Sequence, residues 1–215
     1  MSPKRQDPPT NLRSLETRLY NFAQQRGRPV RRIQRGVANT VVGQMLPPGV
    51  VKGGTAMNLR VGEASSRFTP DLDATRAASV TLEEYLDQLG ERLATLGLDR
   101  PDPIPLLAVD HQIAQKIHAC TATNPTVGKN QRAHDLVDLQ ILGQEGPLDM
   151  SAIGATSERL FAARRSQQWP PTVVTYEAWD TIYIEASDGL DVLGNVADAV
   201  DWANAFIAEA AGGTT

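Results

Sequence analysis

Four short clusters hold the residues whose types and spacing could do chemistry. They are Lys52-Gly53-Gly54-Thr55, Thr69-Pro70-Asp71-Leu72-Asp73, Lys116 within VDHQIAQKIHAC, and Asp135 with Asp138 within RAHDLVDLQIL. A glycine pair after an apolar pair lets the backbone come close to a ligand. The helix expected behind it, Thr55 to about Val61, aims free N–H groups and its positive dipole end at that spot, which suits an anion. Thr55 adds a hydroxyl there. No Gly-Lys-Ser/Thr follows the pair, so this is not a Walker loop. On a strand, Asp71 and Asp73 project to one side while Leu72 turns inward. Two carboxylates so close repel, and a hard cation between them relieves the repulsion. Mg²⁺ usually takes one or two carboxylates together with substrate phosphates. Strand, Gly-Gly turn, helix, then strand with Asp-x-Asp sets an anion site beside a cation site, and two such ions can activate an attacking hydroxyl and steady a departing pyrophosphate. Each motif alone also has an ordinary reading, the glycines as a plain turn and the acids as a solvated loop or cap.

Lys116 lies beside Ile113 and Ile117, on the flank of an apolar helical face formed by Val109, Ile113, Ile117 and Cys120. A lysine there either snorkels to water or reaches into a site as a point-charge partner for phosphate. Asp135 and Asp138 are three apart on one helical face, with Leu136, Leu139 and Leu142 on the other side; they also read as N-terminal acids favoured by the helix dipole. Arg60 and Arg67 flank the glycine and Asp-x-Asp segments and either pair with a carboxylate or touch substrate. His111 and His118 are two turns apart on one helix, too far to share an ion without His134. Cys120 reads as a buried apolar residue, and Trp169, Trp179 and Trp202 as core or interface residues.

The elements that must position these residues are mostly helices. Leu12, Leu15, Leu19 and Phe22 predict a helix to about Gln25, broken by Gly27 and Pro29. Ile33, Val37, Val41 and Met45 predict a second, ended by Pro47-Pro48-Gly49. Val50-Val51-Lys52 reads as a short strand, and Asp71-Leu72-Asp73 as another. Leu82, Leu86, Leu89 and Leu93 predict a helix to about Gly97, with Thr81 and Glu84 as a capping box. Pro101, Pro103 and Pro105 form a stiff connector to the apolar run Leu106–Val109. Helices follow from Asp110 to Ala122, from about Arg132, over 151–166 and from Val196 to Ala210. Residues 176–186 and 190–193 read as less regular. The expected organisation is a disordered lead-in over 1–11, a nucleotide-handling part over 12–109 and a helical part over 110–211.

A chain of 215 residues suits one domain, with or without a small appendage. No apolar run approaches a membrane span, and no apolar stretch follows the proline-rich start, so neither membrane insertion nor secretion is expected. One cysteine, Cys120, rules out a disulfide within the chain and fits a reducing cytoplasm. Charge is uneven: residues 1–60 hold eleven Lys/Arg and two acids, and the rest ten Lys/Arg and twenty-three acids. A basic end on an acidic protein suits a polyanionic partner such as nucleic acid, or packs on acidic parts of its own fold.

In their order, KGGTAMNLR, FTPDLD, IAQKIHA and RAHDLVDL resemble the four motifs of the AbiEii family of nucleotidyltransferase-like toxins, and the chain is most similar to its MenT-type branch. The resemblance runs from about Leu12 to Ile207. It implies an α+β nucleotidyltransferase fold, a small mixed sheet with N-terminal helices and a helical C-terminal region. It further implies that Gly53, Gly54 and Thr55, next to Lys52, hold the triphosphate of an NTP, that Asp71 and Asp73 bind Mg²⁺, and that Thr69 fills a Ser/Thr position just before them. Lys116 would contact phosphates, and Asp135 would act with the metals or as a base. The implied reaction adds nucleotides, with a pyrimidine preference (CTP or UTP), to the 3′ end of tRNA and blocks charging; the alternatives are transfer to a protein or small-molecule hydroxyl, or a non-catalytic nucleotide- or RNA-binding module. The implied partner is an AbiEi-type antitoxin. The chain departs from the family in the short span between Asp73 and Asp110 and in the lack of a third strand carboxylate: either Asp135 does that work, the preferred reading, or the site is incomplete, and Asp138 would be structural.

Overall fold

The computed structural model describes residues 9–62, 64–94, 104–122 and 130–212. The chain divides into two compact units, Met1–Pro47 with Ala78–Ile104, and Pro48–Ala77 with Pro105–Thr215. The expected part over 12–109 therefore contributes to both. Residues 1–8 of the expected lead-in, Gly97 at the expected end of the helix from Leu82, and Pro101, Pro103, Asn124, Pro125 and Gly128 of the expected connectors lie outside the described residues.

The first unit holds α1 (Leu12–Arg26), α2 (Val30–Met45) and α4 (Leu82–Ala94). The side chain of Asn11 accepts from the Ser14 amide and the Ser14 hydroxyl bonds back, closing a capping box that starts α1. Gly27, at φ 60°, ends it in the left-handed conformation that lacks a Cβ penalty. Pro29 precedes α2, and Pro47 and Pro48 prevent its continuation. The predicted Thr81–Glu84 box is present: the Thr81 amide donates to Glu84 Oε2 at 2.8 Å and the Glu84 amide to Thr81 Oγ1 at 3.2 Å. Helix α2 packs against both α1 and α4.

The second unit holds β1 (Gly49–Lys52), α3 (Gly53–Val61), β2 (Asp73–Arg76), α5 (Val109–Thr121), α6 (His134–Gly143), α7 (Met150–Arg164), α8 (Trp179–Ser187) and α9 (Val196–Ala210). Strands β1 and β2 are antiparallel, with Gly49 opposite Arg76 and Lys52 opposite Asp73. The segment at Leu106 adds a parallel bridge to Val51; the Val51 amide donates to the Pro105 carbonyl and the Leu107 amide to the Val51 carbonyl, both at 2.8 Å. The sheet among the described residues is thus one antiparallel pair with a single parallel bridge, within a mostly helical chain.

Three expectations need correction. Asp71-Leu72-Asp73 is not a strand: β2 begins at Asp73, because its partner β1 ends at Lys52, where α3 starts. Leu72 accordingly stays partly exposed. The glycine pair opens α3 instead of preceding it. Residues 179–187, read as irregular, form α8, anchored by the fully buried Trp179 and Tyr183.

The core of this unit is built by α5, α6, α7, α8 and α9. Ile113, Ile117, Leu136, Leu139, Leu142, Ile153, Phe161, Trp179, Val200 and Ile207 form one buried cluster. Helix α6 is enclosed on every side, since Asp135 through Leu142 are all buried. Cys120 is buried as expected, and its thiol is pushed up in pKa by desolvation.

Candidate active site

The glycine turn is built by the meeting of β1, α3 and β2. Gly53 sits at φ 66°, where side-chain-bearing residues are strained, and a Cβ there would strike the Asp73 carboxylate. A Cβ on Gly54 would lie 2.8 Å from the Thr69 Cβ and 3.0 Å from its hydroxyl. The two glycines are therefore what allows the start of α3 to lie directly against the acidic segment. The buried Thr55 hydroxyl donates to the backbone carbonyl of Asp71, so it fixes the segment that carries the acids. Asp71 and Asp73 are exposed, and among the described residues neither carboxylate has a hydrogen bond or ion pair. Lys52 stands opposite Asp73 across the strand pair.

Helices α5 and α6 build a second group. Lys116 does not snorkel. It is 6 % exposed, and its ammonium lies 2.7 Å from Asp135 Oδ1 and 2.5 Å from Asp138 Oδ2. Arg132 Nε holds the other oxygen of Asp135 at 2.6 Å. Arg67 grips Asp138 with two parallel bonds, Nε to Oδ1 at 2.9 Å and Nη2 to Oδ2 at 3.0 Å. Of the two readings open for Arg67, pairing with a carboxylate is the one found. Asp135 and Asp138 are not dipole-favoured surface acids; both are buried. Three cations thus surround two carboxylates.

Charge explains why Asp138, Lys116 and Arg67 stay ionised. Burial pushes the Asp138 carboxyl up, but Lys116 and Arg67 more than offset this and hold it below its ordinary value. Burial pulls the Lys116 ammonium down, and the carboxylates of Asp138 and Asp135 outweigh it, leaving it raised. The Arg67 guanidinium is likewise raised against its own burial by Asp138. His134, beside Asp135 at 3.8 Å, is depressed chiefly by burial.

Several positioning residues carry no motif signal. Gln112, one turn before Lys116, donates to the Gly53 carbonyl at 3.2 Å and joins α5 to the glycine turn. Asn130 donates to the carbonyls of Ala119, Cys120 and Ala122 at the end of α5, accepts from the Arg132 amide at 2.7 Å, and offers its own carbonyl to Trp179 Nε1. It therefore sets where α6 and its acids begin. The only sequence hint is an asparagine just before a helix start. Arg60, marked by the sequence as pairing with a carboxylate or touching substrate, instead donates to the backbone carbonyl of Leu107 at 2.7 Å. The histidines are dispersed: His111 lies beside Asp110, His118 between Ser166 and Arg164, and His134 beside Asp135.

The donor chemistry of the exposed pair fits a hard divalent cation. Asp71 and Asp73 offer free carboxylate oxygens, and no group of three or more His, Cys, Asp or Glu able to hold a metal occurs among the described residues. Two carboxylates, with substrate phosphates and water completing the shell, suit Mg²⁺.

Residues 45–103 match the family model described as nucleotidyl transferase AbiEii toxin, type IV TA system. The match takes in the glycine turn and both acids of the Asp-x-Asp segment, where the sequence resembles the first two family motifs. It ends before Lys116 and Asp135. No curated protein matches the chain. No helix among the described residues is long and apolar enough to cross a membrane.

Proposed function

We propose that this protein is a metal-dependent nucleotidyltransferase toxin that adds nucleotides, pyrimidines from CTP or UTP in preference, to the 3′ end of tRNA, so that aminoacylation and translation stop. The observation that carries this reading is the packing of Gly53 and Gly54, at the positive end of α3, against a segment bearing two exposed carboxylates that have no partner among the described residues. An anion and a cation are thereby favoured within one small region. The AbiEii match over the same residues supports the nucleotide as the anion.

In this reading the amides of Gly53, Gly54 and Thr55 receive the triphosphate, with Lys52 beside them. Asp71 and Asp73 hold Mg²⁺, which when bound would lower the pKa of the acceptor hydroxyl and neutralise charge on the leaving pyrophosphate. The Thr55 hydroxyl keeps Asp71 in place, and the Thr69 methyl and hydroxyl limit how far Gly54 can shift. Lys116 supplies positive charge toward the phosphates, oriented by Asp135. The arginines of α1 and α2 offer a surface for a tRNA backbone. An AbiEi-type antitoxin is the partner in the cell.

Purified protein is incubated with Mg²⁺, total tRNA and each labelled NTP in turn, beside Asp71→Ala, and resolved on a denaturing gel. Label on tRNA from CTP or UTP with the native protein only is the expected result. Label on protein instead would overturn the acceptor, and bound NTP without transfer would overturn the enzyme.

A further inference from the structure

Among the described residues, Gln112 and Arg67 both tether the glycine turn and the acidic segment to the helical core. Gln112 ties the glycine turn to α5; Arg67 ties the segment leading into Thr69 and Asp71 to α6. Its guanidinium takes both oxygens of Asp138, which is 1 % exposed and accepts from Lys116 on the same oxygen that Arg67 Nη2 holds. Asp138 is thus shared between two cations. A bidentate guanidinium–carboxylate pair fixes direction as well as distance. Lysine has the charge but not the fork.

We propose that Arg67 is a positioning residue that, through Asp138, sets the Lys116 ammonium between Asp135 and Asp138 and holds the acidic segment against α6. Without Arg67, Lys116 is the ion-pair partner left to Asp138 among the described residues. The ammonium is drawn toward it and away from Asp135, and the segment carrying Asp71 loses its anchor on α6. Both changes misplace groups that must line up with the triphosphate, and a misplacement of about 1 Å can cost about 100-fold in rate. The proposed nucleotidyl transfer is the reaction in which this would be felt, so the kinetic part of the inference rests on that reading; the tether does not.

Two measurements separate the two. Hydrogen exchange of the peptide covering residues 64–76 is compared in native protein, Arg67→Ala, Arg67→Lys and Asp138→Asn. Faster exchange there in Arg67→Ala and Asp138→Asn, with α7 and α9 still protected, is the expected result. Unchanged exchange overturns the tether whether or not the protein transfers nucleotides. Initial rates with tRNA and labelled NTP are then taken per folded molecule, with the folded fraction read from thermal melts. We expect kcat to fall about 100-fold in Arg67→Ala, with KM for NTP changed less than about threefold, partial recovery in Arg67→Lys, and the Arg67→Ala/Asp138→Asn double variant no worse than the single ones, as for residues acting as one unit. A lowered melting temperature with native kcat, or effects that multiply in the double variant, would reduce Arg67 to a structural residue. Absence of transfer in the native protein would sink the functional reading and leave the exchange result to decide the tether.

Discussion

The Asp71 carboxylate is exposed and carries no partner among the described residues, while its backbone carbonyl is held by the buried Thr55 hydroxyl. Asp71→Asn keeps that backbone bond and removes only the charge. We therefore expect transfer to vanish while stability to urea changes by no more than about 0.5 kcal/mol, as for surface sites remote from packing. Asp138 is the opposite case. Its folded-state pKa lies below the ordinary 3.8, so the stability it supplies is fully present above that value and is lost as pH falls through the folded value. Asp138→Asn leaves Arg67 and Lys116 without their shared anion and should lower stability by about 3 kcal/mol near neutrality. The gap to the native protein should narrow below about pH 4, which melts across pH would read directly. Residue types and order were enough to bring Lys116, Asp135 and Asp138 forward as candidates. Their burial was not legible, because a lysine on the flank of a helix is compatible with both water and an ion cluster. The choice depends on α6 being enclosed on all sides, a tertiary fact.

Among the elements, the helices with clear apolar periodicity or strong stop signals lie where the sequence places them; α2 ends at Pro47-Pro48 and α9 starts at an asparagine cap. Helix α8 was missed since its stability comes from Trp179 and Tyr183, whose polar atoms bond Asn130 and Leu193 at a distance, and not from local repetition. The Asp-x-Asp strand was overread because strand length is fixed by the partner, and β1 has no residue left to pair beyond Lys52. Two glycines inside helices show how packing overrides propensity. Gly90 in α4 has open space where a Cβ would go, whereas a Cβ on Gly154 in α7 would collide with the Ala210 carbonyl of α9. Gly90→Ala should gain up to about 1 kcal/mol from helix propensity. Gly154→Ala should lose up to about 2 kcal/mol net, since the overpacking cost of about 1–3 kcal/mol acts against a rigid backbone atom and exceeds that gain. Urea midpoints moving in opposite directions for the two variants would bear this out.

At the scale of the whole molecule, the asymmetry of charge follows the chain and not the site. The first sixty residues carry eleven of the twenty-one Lys/Arg and only two of the twenty-five acids, and Arg13, Arg18, Arg26, Arg31, Arg32 and Arg35 fall on α1 and α2. The residues proposed for chemistry belong to the other unit. Affinity for tRNA and chemistry on the nucleotide should then separate in kinetics. A phosphate contact neutralised by one arginine releases counterions, so each such contact contributes about 0.9 to the slope of log binding against log salt on duplex nucleic acid. Arg31 is exposed on α2. Arg31→Ala should raise KM for tRNA, reduce the salt slope by about one contact, and act alike on different tRNAs, because phosphate contacts carry no sequence information. The value of kcat and the KM for NTP should stay native, and Arg31→Lys should recover most of the binding. A fall in kcat with an unchanged salt slope would instead place Arg31 in the chemistry and remove the case for α2 as the polyanion surface.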